Sequence, residues 1–503
     1  MTRKSLATFG IAVALGCVGC GTRADNYPLV AEQRNEDRRS IDAAADHPFV
    51  VLAFSGGGSR AAALAAGVTS RLDGITYQTP SGRRRLSQDI AVVSSVSGGS
   101  VYATYLALKG ASAEQAKAFQ QKIADFDGIG YLAGRGLNPV TWIRLQLQSR
   151  TRVDVLQEML GDLLETNATL ATLNRPNQPL FLLNASDLVS GQVFSFDPRT
   201  LDDLCMNFDQ TPLTLATTAS AAFPIAFTPV LLQNQSYVDM AGCPSRQIPA
   251  GDWRAQLTEP EARYINLESF RVARYRDSLR AGRYGNSMGD PEPFRSPRYV
   301  RLVDGGVIDN LGLTAVRREF FTGNSPAFLP QLVTDRKLRH LVIIVVNARS
   351  DPLSPLDASN EYVRIPSFAL AVGGALVDSA SSGSASTFRG FVLNLLADRA
   401  VLLKEGNPGA EFEIYPIDID FDQLPDSTAA ERTRLNTVKS IGTSWTLDPG
   451  DVPLVDSVGG ELLWRHPCFI KLVADLGAQG TPDPNARPIE GLPCPWPTVA
   501  QSR

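Results

Sequence analysis

The run Phe49-Val50-Val51-Leu52-Ala53-Phe54 is apolar at every position, stops at Ser55-Gly56-Gly57-Gly58, and leads into an alanine-rich stretch from Ala61 to Leu72. A short, continuous apolar run bounded by turn residues reads as a strand buried on both faces, as in sheets covered by helices on either side. The pattern recurs. Ile90-Ala91-Val92-Val93-Ser94-Ser95 delivers into Val96-Ser97-Gly98-Gly99, and Ser100 to Lys109 follows as a helix. Further strands are predicted at Leu180–Asn184, Val193–Phe196, Val300–Val303 and Leu341–Asn347, and helices at Leu213–Ala222 and Leu313–Phe321. Alternating strand and helix predicts an α/β fold, a three-layer sandwich around a mostly parallel sheet.

Two stretches interrupt the rhythm as insertions. Residues 111–178 read as mostly helical and residues 240–298 as loop-rich, with Arg271, Arg274, Arg276, Arg280 and Arg283 close together. Each reads equally as a lid over a site or as solvated decoration. The main domain is expected over 48–350, with 351–503 as an extension packed on it. In that extension Phe368 to Val377 and Phe388 to Leu403 are apolar at helical spacing but too short or interrupted to span a bilayer. Packing against the sheet is the simpler reading; an acyl-chain groove or a membrane-resting face is the sharper one. The chain is 44% hydrophobic and 20% charged with a formal net charge of -4, which describes a globular protein and offers no cationic field for nucleic acid.

The N-terminus reads separately. Arg3 and Lys4 precede an apolar stretch from Phe9 to Val18 that ends in Cys17-Val18-Gly19-Cys20, and a polar run continues from Gly21. Small residues before a cysteine resemble a bacterial lipobox, so residues 1–20 are expected to be a lipoprotein signal peptide, Cys20 the lipidated residue and 21–47 a tether. Cys17 and an ordinary signal peptide are the alternatives. Either way, export to the cell envelope is expected. Cys205, Cys243, Cys468 and Cys494 then remain, an even number suited to an oxidising compartment. Three pairings are open, with Cys205–Cys243 and Cys468–Cys494 preferred because they close the shorter loops. A metal site is not expected, since no C-x-x-C occurs among these four and the chain has three histidines.

Three strand ends carry the candidate chemistry. Ser97 stands between a buried strand and a helix among very small residues, as in a nucleophile elbow, and the helix N-terminus adds partial positive charge. The usual G-x-S-x-G here reads S-x-S-x-G, with Ser95 in place of the first glycine. In Ser55-Gly56-Gly57-Gly58-Ser59-Arg60 three glycines free the backbone to turn amides toward an oxyanion, and Arg60 is placed to fix the loop or bias the site positively. The loop lacks the G-K-[ST] of a phosphate-binding loop. In Leu302-Val303-Asp304-Gly305-Gly306 a strand delivers a carboxylate into a glycine turn, where it can take a serine proton. Asp309 and Asn310 are expected to hydrogen-bond the turn backbone. Of His47, His340 and His466 none lies in such a turn, and His340 is the one entertained as a base.

This ordered set resembles the patatin-like phospholipase family. Ala219-Ser220-Ala221-Ala222-Phe223-Pro224 looks like its A-S-x-A-x-P segment, and Asn184-Ala185-Ser186-Asp187-Leu188 like its usual strand end. The resemblance implies a Ser-Asp dyad without histidine, cofactor or metal: Ser97 as nucleophile and Asp304 as base. It places Gly57 and Gly58 in the oxyanion hole, with Gly56 and Gly98 in the same candidate set and Arg60 in support. It also implies a lipid substrate, phospholipid or lysophospholipid, at a membrane surface. Asp239 in Tyr237-Val238-Asp239-Met240 is the rival base, but Met240 and Ala241 stand where two glycines are expected. An acyltransferase with the same dyad, and a non-catalytic lipid-binding lipoprotein, are the competing functions.

Overall fold

The computed structural model describes residues 24–29, 34–136, 150–224, 226–235, 275, 279, 297–350, 386, 388–397, 399–404, 406, 408–480 and 487–494. Cys20, Asp239, Cys243, the five arginines Arg271, Arg274, Arg276, Arg280 and Arg283, and Phe368 to Val377 lie outside the described residues.

The strands, in chain order, are β1 (Phe49–Phe54), β2 (Thr76–Thr79), β3 (Gly82–Arg85), β4 (Ile90–Val96), β5 (Leu180–Asp187), β6 (Gln192–Ser195), β7 (Val230–Gln233), β8 (Tyr299–Asp304), β9 (His340–Asn347) and β10 (Glu413–Asp420). One sheet runs β10-β9-β1-β4-β5-β8-β7, with β6 also on β5, while β2 and β3 form a separate hairpin. From β10 to β5 every pairing is parallel; β6, β8 and β7 join antiparallel. Along β1, Val50, Leu52 and Phe54 enter one core and Phe49, Val51 and Ala53 the other. That alternation follows from the two-residue period of a strand, and it makes the chain a three-layer α/β sandwich.

On the first face lie α1 (Gly58–Asp73), α2 (Gly98–Lys109), α3 (Ala113–Asp125), α5 (Arg152–Leu164) and α6 (Leu213–Ala221), with α4 (Gly128–Gly136) beside them; α7 (Leu313–Phe320) covers the second. α1 is buried almost around its whole circumference. Its alanines make that possible, because α9 (Asp451–Arg465) packs over it so closely that a Cβ on Gly459 would come 2.8 Å from Leu64 Cδ1. α8 (Ala429–Ser440) precedes α9, and α10 (Pro467–Asp475) follows it. A disulfide joins Cys468 to Cys494 with Cα atoms 5.1 Å apart. Cys205 is also disulfide-bonded. Phe388, Phe391, Val392, Leu395 and Leu396 sit in the second core, as the packing reading expects. No helix among the described residues is long and apolar enough to cross a membrane.

Sequence reading missed β10. Pro416 and the acids of Glu413-Ile414-Tyr415-Pro416-Ile417-Asp418-Ile419-Asp420 argue against a central strand. β10 is an edge strand, where a missing donor and outward acids are tolerated.

Candidate active site

Three strand ends meet at one edge of the sheet. β4 and β5 are level at Val96 and Asn184, and Ala185 pairs with Asp304. Asp304 therefore stands level with Ser97, the residue after Val96. It arrives from the opposite direction to the one a parallel reading implies, since β8 runs antiparallel to β5 and descends onto the edge.

Ser97 caps α2 with φ 51° and ψ -123°, a region where a residue with a Cβ is strained. Its N–H donates to both the carbonyl oxygen (3.1 Å) and the hydroxyl (3.0 Å) of Ser220 on α6, which holds the elbow. Ser220 Oγ in turn donates to the Asn184 carbonyl (2.6 Å) and lies 2.8 Å from Ser100 Oγ. Ser100 Oγ donates to Ser95 Oγ at 2.9 Å, so the serine that replaces the usual glycine is absorbed into a buried hydroxyl network. The crowding that demands Gly99 comes chiefly from β1, not from Ser95: an added Cβ would lie 2.6 Å from the Ser55 carbonyl and 2.8 Å from Phe54 Cβ. Ser220 was not among the residues assigned chemistry in the sequence, although the A-S-x-A-x-P segment contains it.

Asp304 is 4% exposed. Burial raises its pKa to about 6, against the lowering effect of hydrogen bonds from the Ser97 side chain and the Gly306 amide. The Gly306 N–H reaches Oδ1 at 2.8 Å.

The glycine loop lies against the elbow. A Cβ on Gly56 would sit 3.2 Å from Ser97 Cβ, and one on Gly98 would overlap the Gly58 carbonyl. Gly57 and Gly58 have φ of 139° and 60°, which only glycine adopts without strain. The four glycines are not equivalent. Gly56 N–H is taken by Asn310, through its carbonyl (3.1 Å) and its Oδ1 (3.2 Å), so Gly56 is corrected from amide donor to hinge of the loop. Among the described residues Gly57, Gly58 and Gly98 carry no such bond, and first-turn amides have no intrahelical acceptor. Asp309 accepts from the Leu311 (3.2 Å) and Thr314 (2.6 Å) amides, as expected of a turn-capping acid. Arg60 lies beside Gly57, where an added Cβ would come 3.0 Å from its Nη2. It is 2% exposed, donates to the carbonyls of Ala348 (3.0 Å) and Ile441, and reaches Thr443 Oγ1 at 3.5 Å. Of its two expected roles, fixing the loop is the one these contacts serve.

Each histidine is engaged elsewhere. His340 opens β9 at the opposite edge of the sheet, where its Nδ1 lies 3.1 Å from the Tyr415 hydroxyl and burial lowers its pKa. His47 precedes β1 at that same far edge, with Nδ1 3.2 Å from the Pro48 carbonyl. His466 caps α10, accepting from the Cys468 amide (3.2 Å), while its Nε2 meets Asp418 at 3.2 Å.

With this geometry in place, the comparisons with known proteins can be set beside it. Residues 52–240 match the family model of patatin-like phospholipases. The matched stretch holds the glycine loop, the elbow and the Ser220 segment, and it ends before Asp304. The chain is also similar in structure to human GIVD cytosolic phospholipase A2, at 14% identity and a TM-score of 0.31, over 59% of this chain and 45% of that one. The chain thus spans under half the length of that protein. No curated protein matches it in sequence. Within the patatin-like stretch the strand-end motifs expected from sequence are the ones that converge, and Asp304 reaches them from beyond it.

Proposed function

We propose that this chain is a serine acyl hydrolase that cleaves the acyl esters of glycerolipids, phospholipid or lysophospholipid, through Ser97 and Asp304. The observation that carries the reading is the buried Asp304 carboxyl hydrogen-bonded to the side chain of a serine in a strained strand–helix elbow. The patatin-like match supports an acyl ester of a lipid as the bond cleaved.

The chemistry follows from the groups present. As Ser97 Oγ attacks the ester carbonyl carbon, its proton passes to the Asp304 carboxylate, and the carbonyl oxygen takes up the electron pair as an oxyanion. Amides of Gly57, Gly58 and Gly98 border that position, and the N-terminus of α2 adds favourable potential. Collapse of the tetrahedral intermediate breaks the C–O bond, and the leaving alcohol takes the proton back from Asp304. Water then repeats the cycle on the acyl-serine and releases the fatty acid. Attachment to an envelope membrane through Cys20 belongs to the same proposal and rests on the lipobox-like N-terminus.

The test is direct. A fluorophosphonate probe is expected to label Ser97 in wild type, and Ser97→Ala is expected to lose both labelling and hydrolysis of a p-nitrophenyl ester while remaining folded. Labelling at another residue, or hydrolysis that survives the substitution, defeats the assignment. Incubation with mixed phospholipids, lysolipids and neutral lipids then identifies the substrate from the fatty acid released.

A further inference from the structure

The glycine loop has no side chains of its own with which to hold a conformation, yet oxyanion stabilisation requires donors fixed before the reaction. Beyond the bond from the Gly56 amide to Asn310 and that from the Ala348 amide to Ser55 Oγ, two further contacts hold it. One is the elbow, against which the Gly58 carbonyl rests. The other is Ile441-Gly442-Thr443-Ser444-Trp445-Thr446, between α8 and α9, far outside the stretch matched to the family model.

We propose that this 441–446 segment is a working part of the active site, a clamp that holds the Gly57 and Gly58 amides in position for the oxyanion. The proposal rests on the hydrolase reading above. The Ser444 carbonyl accepts the Ser59 N–H at 2.8 Å. A Cβ on Gly58 would overlap that carbonyl and lie 2.9 Å from Ser444 N, so clamp backbone meets loop backbone directly. Arg60, the first full side chain beyond the loop apart from Ser59, spans from Ala348 after β9 to Ile441 and Thr443. The clamp has its own anchorage. Thr446 Oγ1 donates to Asp127 Oδ1 (3.1 Å) and accepts the Ile129 N–H (3.0 Å), Trp445 packs against the first core, and Leu447 is buried. Gly128 leaves room for the Trp445 backbone, since an added Cβ would come 2.9 Å from Trp445 Cβ. The Gly57-Gly58 end of the loop therefore lies between elbow and clamp, and Arg60 is the positioning residue that ties it to the clamp.

The full-length protein tests this with Arg60→Met, Arg60→Lys and Thr446→Val. The rate of p-nitrophenyl butyrate hydrolysis is expressed per active site, counted by fluorophosphonate labelling, so that a loss of folded protein does not register as a loss of rate. Arg60→Met is expected to lose on the order of tenfold to a hundredfold in kcat with little change in KM, as for a lost transition-state donor. Lysine restores only part, because one ammonium cannot replace a guanidinium spanning separate carbonyls. Thr446→Val is expected to lose roughly threefold in kcat and to speed deuterium exchange at the Ser59 amide. An unchanged kcat per site in folded Arg60→Met, full rescue by lysine, or a defect confined to KM overturns the clamp. Should Arg60→Met not fold, Thr446→Val decides: unchanged exchange together with unchanged kcat overturns it. Wild type that neither labels at Ser97 nor hydrolyses ester defeats the hydrolase reading instead, and exchange at Ser59 still judges the clamp.

Discussion

At the residue scale the decisive group is Asp304, and its environment bears on both chemistry and stability. An exposed aspartate titrates near 4; burial moves this one to about 6. In the proposed role of base it works when ionised, so hydrolysis is expected to rise between pH 5 and 7 toward a plateau, much as an imidazole base would produce. Substitution therefore discriminates where the pH profile does not. Asp304→Asn is expected to be nearly inactive, while His47→Gln, His340→Gln and His466→Gln each retain most of the kcat, as befits histidines engaged away from Ser97. A folded histidine variant without activity, beside an active Asp304→Asn, would require a different base. The stability effect has the opposite sign to that of a salt-bridged acid. Because the folded pKa is raised, the native state binds more protons between about pH 4 and 6, and this residue's contribution to stability falls as pH rises through that window. Asp304→Asn is expected to raise Tm above pH 6 and to have no such advantage near pH 4.

At the scale of elements, the site is a set of close backbone approaches between a glycine loop, an elbow and a descending strand. Gly58 combines φ of 60° with the Ser444 backbone at its Cα, and Gly98 has the Gly58 carbonyl at its own. Gly58→Val and Gly98→Ala are both expected to lower kcat on the order of a hundredfold or more, with KM nearly unchanged, because the oxyanion donors are displaced. Gly110 ends α2 with φ of 88° and nothing within 4 Å of an added Cβ. Gly110→Ala is therefore expected to cost about 1 kcal/mol of stability through backbone strain alone and to leave kcat intact. A KM defect in the first pair would recast the loop as a substrate-positioning device. Equal kcat losses at all three positions would mean that general destabilisation, not site geometry, is being measured.

At the scale of the molecule, the chain joins a patatin-like stretch to a C-terminal part that completes the sheet with β10, backs α1 with α9 and touches the glycine loop through residues 441–446. The extension thus shares the sheet whose strand ends carry the candidate site. The proposed membrane attachment rests on the other terminus. Cys20→Ala is expected to move the protein from the membrane fraction to the soluble one, and the shift is large because a processed lipoprotein carries several acyl chains where one binds only marginally. If Cys17→Ala alone has this effect, processing occurs there; if neither substitution moves the protein, the anchor is absent.

The amino-acid sequence by itself determined which residues stand at the strand ends, because a buried strand, a glycine turn and a following helix are all signalled within about twenty consecutive residues. Ser97, Gly57, Gly58 and Asp304 were legible for that reason, and so was the α/β class. What pairing across long separations decides was not. The direction of β8 depends on its partner β5, more than a hundred residues earlier by number. Gly56 lost its free amide to Asn310, 254 positions away. Ser95 became acceptable only when Ser100 donated to it and Ser220 lay beside both. Arg60 came to rest on carbonyls at Ala348 and Ile441. A local pattern can say that a loop is free to present its amides. Which amides remain unclaimed, and what holds them still, is settled by whichever distant backbone comes to rest against the loop.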